Sequence, residues 1–183
     1  MKLGLSFPQT EIGTDPIVIK DFLQAAEELG YDFVTFVDHV LGEEAPRGAT
    51  FANKYTRDYM FHEVMVLMGY AAAVTQKIGL GTAVMILPQR QAVLVAKQAA
   101  EIDILSGGRL RLGVGLGWNK VEYDALGMTF GNRAKRFGEQ IDVMRKLWSN
   151  RTVEYNGEFH KFESAGINPE PVQRPIPCLL YTS

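Results

Sequence analysis

RLRLGVGLGWN, residues 109–119, puts a strand, a glycine-rich exit and the opening of the next element into one passage. Leu110, Leu112 and Val114 alternate as the apolar side of a strand, while Gly113, Gly115 and Gly117 strip side chains from its end. Two readings fit. The bare backbone lets a flat ligand come close, or the glycines relieve crowding around a barrel axis or a tight turn. Ser106-Gly107-Gly108 leads into this strand from a helix expected over Ala92–Leu105, whose Val93, Val95, Ala96, Ala99, Ile102 and Leu105 recur at helical spacing.

The same alternation extends outward. Toward the N-terminus, Ile78 to Leu87 reads as a strand with Gln89-Arg90 after its end. Phe61 to Thr75 reads as a helix whose Phe61, Val64, Met65, Met68, Ala71 and Ala72 share a face, the methionines filling core. Phe33 to Val37 is a continuous run of strand formers, as in a strand buried on both faces of a parallel sheet, and it ends on Asp38-His39. Before it, Thr14 or Asp15 caps a helix begun by Pro16, with Ile19, Phe22, Leu23, Ala26 and Leu29 inward and Gly30 as its stop. Lys2 to Phe7 supplies the first strand. Leu41 to Tyr59 is a long connection, either a functional lid or a surface insertion.

Beyond Asn119 a short helical piece reaches Gly127, and Ala134 to Trp148 forms a long helix with Phe137, Ile141, Met144 and Trp148 in phase. Asn156-Gly157, between Val153–Tyr155 and Phe159–Phe162, marks a β-hairpin. Prolines then extend PEPVQRPIP, and Ile176 opens a fifth strand. Serial strand–helix units require a parallel α/β sheet with right-handed crossovers, doubly wound or closed as a TIM (β/α)8 barrel. A full barrel takes about 250 residues. The expectation is one domain over residues 1–177, roughly the first half of a barrel with a hairpin insertion and the start of strand five.

Of the 183 residues, 46% are hydrophobic and 22% charged, which suits a globular core rather than a disordered chain. A net charge of −2 gives no bulk attraction to nucleic acid or an anionic membrane. No stretch has the length of a membrane span or a signal peptide, so the expected location is the cytoplasm. The single cysteine, Cys178, and three scattered histidines form no metal-ligand spacing, and no metal is expected.

Residues at the carboxyl ends of parallel strands line the site in such folds, which selects Phe7-Pro8, Asp38-His39, Thr82 to Leu87 and Gly115 to Asn119. An imidazole there can move a proton or polarise a reacting atom, the alternative being that His39 simply packs or caps the loop. Neighbours on a strand point opposite ways, so Asp38 is not assumed to orient His39, and a ligand group is a possible partner. Gly113-x-Gly115-x-Gly117 has the wrong spacing for a dinucleotide fingerprint, and phosphate-loop, G-x-S-x-G and HExxH motifs are absent. Arg133, Lys135 and Arg136 read as a solvated helix face.

DHVLG at 38–42, LGTAVMILPQRQAVLVAKQAAEIDILSGGRLRLGVGLGWNKVEYDALG at 80–127, RFGEQIDVMRKLWS at 136–149 and NPEPVQRPIP at 168–177 together resemble the luciferase-like flavin and deazaflavin oxidoreductases. The branch that uses coenzyme F-420 is the nearest in pattern, from Met1 to about Pro177. The resemblance implies a TIM barrel with the cofactor across the carboxyl face and hydride passed to or from a small organic substrate. It implies that Asp38 and His39 contact the ring, with His39 the catalytic group. It places Thr82, Ala83 and Val84 behind the ring, with a non-proline cis peptide at Ala83–Val84, and Gly115, Gly117, Trp118 and Asn119 along its border. Some F-420 enzymes of this family carry glutamate where Trp118 stands here, so a glutamate proton step does not carry over.

An FMN-dependent monooxygenase is the alternative within the family, and a non-catalytic, self-associating half-barrel the alternative outside it. The resemblance is compatible with a homodimer of the full-length protein, whose phosphate-tail site would lie in the later half. Residues 178–183, CLLYTS, depart from the family's apolar fifth strand and match one frame of a transposase sequencing adapter (TGT CTC TTA TAC ACA TCT). A non-native tail and an inactive fragment are therefore expected.

Overall fold

Residues 1–44 and 55–180 are described by the structure, a computed structural model. In chain order the elements are β1 (Gly4–Ser6), α1 (Pro16–Glu28), β2 (Phe33–Phe36), α2 (Val64–Val74), β3 (Gly79–Thr82), β4 (Met85–Ile86) and a single 3-10 turn (Leu87–Gln89). They continue with α3 (Ala92–Leu105), β5 (Leu110–Gly115), α4 (Lys120–Ala125), α5 (Arg133–Ser149), β6 (Val153–Asn156), β7 (Lys161–Ala165) and β8 (Cys178–Leu180).

Every pairing in the main sheet is parallel, β1 with β2, β2 with β3, both β3 and β4 with β5, and β5 with β8. The third strand expected over Ile78–Leu87 is thus two short strands interrupted at Ala83–Val84. Taken as one, they leave the spatial order of the strands identical to their order in the chain. A doubly wound sheet reverses that order at a switch point. None occurs among the described strands, so the sheet is wound in one direction, as in the wall of a (β/α) barrel.

Strand periodicity explains the layers. Val34, Phe36, Leu80, Leu110, Leu112 and Val114 are fully buried under the helices. On the other face, Gly4, Phe33 and Gly79 lie in register. A Cβ on Gly4 would come 2.0 Å from the Phe33 ring, so the phenyl occupies the room the glycine leaves. Trp148, fully buried, anchors α5 by donating its Nε1–H to the Ala96 carbonyl at 2.9 Å.

The helix starts follow the sequence: Asp15 accepts from Ile17 N at 2.8 Å with Pro16 behind it, and Gly30 takes φ +81 past the end of α1. Several expected inward residues are outside. Leu29 is 77% exposed, and Val93 and Leu105 also face solvent, since the buried stripe of α3 is carried by Ala92, Val95, Ala96, Ala99, Ala100 and Ile102. Phe61 precedes α2, which is capped by Glu63 accepting from Val66 N. Arg136 is not part of a solvated face. It is 8% exposed and donates to Pro88 O at 2.6 Å and Asn132 Oδ1 at 2.7 Å.

The hairpin is present but not as a two-residue Asn-Gly turn. Asn156 pairs with Lys161, and the intervening loop closes by Gly157 N donating to His160 O. Its peptide N–H groups at 158, 159 and 160 all donate to the Glu139 carboxylate of α5, which occupies the space a Cβ on Gly157 would need. Cys178, Leu179 and Leu180 pair with β5, two residues later than the expected strand start at Ile176.

Polar clasps hold the amino-terminal side of the sheet. Glu27 accepts from the backbone N–H of Gln76, Lys77 and Ile78 at 2.9, 2.5 and 2.8 Å. Arg109 donates to Ala72, Thr75, Ile78 and Ser106 oxygens, closing the C-terminus of α2. With rigidity supplied there, the carboxyl ends are left to carry the site.

Candidate functional site

Asp38 and His39 leave β2 in opposite directions, as their adjacency requires. Asp38 is 1% exposed. Its Oδ1 accepts from Arg90 Nη2 at 2.7 Å, and its Oδ2 accepts from Arg90 Nε at 3.2 Å and Ile86 N at 2.9 Å. The carboxylate therefore braces β4 against the exit of β2. Burial works to lower the Arg90 pKa, but hydrogen bonds and charge from Asp38 and Glu63 outweigh it and raise the value.

His39 turns toward α4. Its Nδ1 lies 3.0 Å from Glu122 Oε1, its ring stacks on Tyr55 with centroids 4.5 Å apart, and the Phe61 and Trp118 centroids are 4.7 and 6.3 Å away. Glu122 is fully buried. The same Oε1 accepts from Val40 N at 2.8 Å and Leu41 N at 3.3 Å, and Oε2 accepts from Gln89 Nε2 at 3.0 Å. Burial would raise this carboxyl's pKa, yet the hydrogen bonds from His39, Gln89 and Val40 hold it below the ordinary value.

Helix α4 is placed by its own first turn: Asn119 accepts from Val121 N at 3.1 Å, and Tyr123 donates to the Leu116 carbonyl. Burial pushes the Tyr123 phenol up to about 12.

The other strand exits meet beside this pair. The peptide bond Ala83–Val84 is cis, where the family resemblance puts it, and Ala83 N donates to Phe36 O at 2.8 Å. Thr82 is buried, with its hydroxyl donating to Gly113 O at 2.6 Å. A Cβ on Gly113 would lie 2.2 Å from Thr82 O, and one on Gly117, at φ +67, would lie 2.5 Å from Ile86 Cγ2. At both glycines the close neighbour is protein: the β3 backbone crowds Gly113, while a left-handed φ together with the Ile86 side chain requires glycine at 117. Gly115 is buried in the last position of β5, opposite Ile86, whereas Ala83 and Trp118 are exposed.

A cleft of about 290 Å³ opens here, lined by His39, Leu41, Tyr55, Thr56, Tyr59 and Phe61 among others. A larger cavity of about 450 Å³ lies by the hairpin, among Arg151, Thr152, Gly166 and Asn168, and contains no strand-exit residue. Of the lid expected over 41–59, residues 45–54 lie outside the described residues. Among those described, no group of three or more His, Cys, Asp or Glu could hold a metal ion, and no helix is long and apolar enough to cross a membrane.

Glu122, Gln89, Arg90, Phe61 and Tyr55 are absent from the sequence-based set. The spacing Asn119-x-x-Glu122 was a visible signal, though it reads as a helix capping box and not as a partner for a histidine.

Known proteins share this chain's sequence pattern and fold. Two uncharacterized proteins of Mycobacterium tuberculosis are similar: Rv0953c, 41% identical over 63% of this chain and 41% of its own length, and Rv0940c, 33% identical over 96% and 62%. The chain thus spans less than two thirds of either relative. Among solved structures, the monooxygenase RslO1 from Streptomyces bottropensis superposes with a TM-score of 0.79 at 26% identity, covering 98% of this chain and 53% of RslO1. The F-420-dependent tetrahydromethanopterin reductase of Methanopyrus kandleri (TM-score 0.74, 23% identity, 98% and 49% covered) shares the fold. So does the FMN-bound oxygenating constituent of 3,6-diketocamphane monooxygenase from Pseudomonas putida (0.75, 17%, 98% and 51%). With the luciferase-like monooxygenase model matching residues 5–182, the chain belongs to that family.

Proposed function

We propose that the whole protein, a closed (β/α)8 barrel, is an oxidoreductase that passes hydride between coenzyme F-420 and a small organic substrate, with His39 handling the accompanying proton. The observation that carries this reading is His39 itself. It is a strand-end imidazole with one nitrogen tied to a buried carboxylate, set among aromatic rings at the mouth of a cleft. A tricyclic ring needs a flat bed with few side chains. The exposed Ala83 and half-buried Val84, at the exit of an otherwise buried strand, fit that need, with Trp118 at the edge. Ala83, Val84, Gly115, Gly117 and Trp118 would hold the ring, while Thr82, Asn119 and Asp38 would fix the backbone beneath it through their bonds to Gly113, Val121 and Ile86. When bound, the deazaflavin supplies the carbon that gives or accepts hydride.

FMN is the second reading, favoured by the family's monooxygenase description and by the fold shared with the FMN-bound constituent of 3,6-diketocamphane monooxygenase. Titrating F-420 and FMN separately against the full-length protein, followed by absorbance and fluorescence, tests both. Saturable deazaflavin binding that weakens when Ala83 is replaced by a bulky residue is expected. Tight FMN binding without deazaflavin binding overturns the first reading in favour of the second.

A further inference from the structure

We infer that Glu122 is a positioning residue that fixes the neutral His39 ring as its Nδ1–H tautomer, so that the ring presents a bare Nε2 to the cleft. Glu122 Oε1 already accepts from two backbone N–H groups, Val40 and Leu41, which have no alternative to donating. An oxygen so placed has only lone pairs to offer Nδ1 at 3.0 Å, and therefore Nδ1 carries the hydrogen. The lowered pKa of Glu122 keeps the acceptor ionised. Glu122 itself is buried and does not line the cleft, whereas His39 does, so the cleft-facing nitrogen is Nε2. Among the described residues nothing hydrogen-bonds it. A ligand group seated against the neutral ring must then bring its own hydrogen, as a hydroxyl or an N–H does. This deepens the proposed role of His39 and rests on that reading for its catalytic meaning, but the tautomer itself does not depend on any cofactor.

The other two histidines provide references within the same molecule. His62 Nε2 is 3.0 Å from the Gly13 carbonyl, which can only accept, and so takes the opposite tautomer. His160 Nδ1 is 2.8 Å from Glu139 Oε1 and takes the same tautomer as His39. The experiment is a long-range ¹H–¹⁵N correlation spectrum of histidine-labelled protein in alkaline buffer, where imidazoles are neutral, with signals assigned through His62→Gln and His160→Gln.

In the unsubstituted protein, His39 Nδ1 is expected at the protonated-nitrogen shift and Nε2 at the bare-nitrogen shift. Glu122→Gln is expected to keep that pattern. Val40 and Leu41 would hold its amide oxygen toward His39, and Gln89 would turn its unpartnered Oε1 toward the new amide N–H. Glu122→Ala is expected to lose the pattern in favour of the Nε2–H form that free imidazoles prefer in water. A His39 that is already Nε2–H in the unsubstituted protein overturns the inference whether or not any variant folds, as does an unchanged pattern in Glu122→Ala. F-420 binding failing beside a correct tautomer would refute the proposed function alone.

Discussion

Asp38→Ala is the substitution whose effect the structure defines most fully. It leaves three donors behind, Arg90 Nε and Nη2 and the Ile86 N–H, around a side chain that is 1% exposed. Removing one partner of a buried ion pair costs roughly 3–5 kcal/mol, because the survivor stays charged and desolvated. Arg90 retains Glu63 on Nη1 at 3.1 Å, but that carboxylate is 43% exposed and only partly compensates. The expected loss is therefore at the lower end, about 3 kcal/mol. With a urea dependence of about 2 kcal/mol per molar for a small protein, the unfolding midpoint should fall by about 1.5 M with unchanged slope. Asp38→Asn, which keeps one acceptor oxygen, should lose about 2 kcal/mol. A double variant, Asp38→Leu with Arg90→Met, should be less damaged than Asp38→Ala because no unpaired charge remains. If Asp38→Ala unfolds within about 0.5 kcal/mol of the parent, water has access to the pair and the carboxylate does not brace β4.

Two further expectations test the scaffold. Gly113→Ala sets a Cβ 2.2 Å from the Thr82 carbonyl oxygen, backbone against backbone, and should destabilise by about 2–3 kcal/mol; an unchanged urea midpoint would mean that β3 and β5 separate at no cost. Glu27, Glu122 and Glu139 all titrate below their ordinary value, although burial alone pushes each the other way, because hydrogen bonds to the ionised form prevail. Their contribution is complete above the unfolded glutamate value of about 4.3 and is lost as pH falls through the lower folded values, where the unfolded chain binds more protons. Stability measured by urea titration should therefore decline steeply in that acidic window, and Glu27→Gln should make the decline shallower; an identical slope would show that Glu27 is not among the groups responsible.

The sheet was readable because its determinants are local. Continuous strand formers at 33–37, the capped helix after Asp15 and the glycine turn at 107–108 each act within a few residues, and parallel strands joined by helices admit few topologies. What failed locally failed for a tertiary reason. Leu29 and Leu105 obey helical spacing but lie at helix ends, where no second layer covers them. Gly157 suggested a tight turn. The glycine is instead needed because Glu139, on another element, fills the space beside it. Arg136 looked like surface charge because its acceptor, Pro88 O, belongs to a turn 48 positions away.

The site divides along the same line, and His39 marks the division. Its position at a strand exit is a property of the local pattern, and so is the rule that it cannot share a direction with Asp38. The structure follows that rule: Asp38 turns to Ile86 and Arg90, and His39 turns to Glu122. The identity of each partner depends on contacts 48 to 83 positions apart, which no spacing encodes. For Glu122 the local pattern even points elsewhere, since Asn119-x-x-Glu122 suggests a carboxylate bound to its own helix start. Asn119 caps Val121 without that help, which leaves Glu122 free to accept from the loop leaving β2. A short helix laid across a strand exit thus supplies the histidine's partner. That is also why the strand ends alone, correct as far as they go, named an imidazole without the group that decides which of its nitrogens bears the proton.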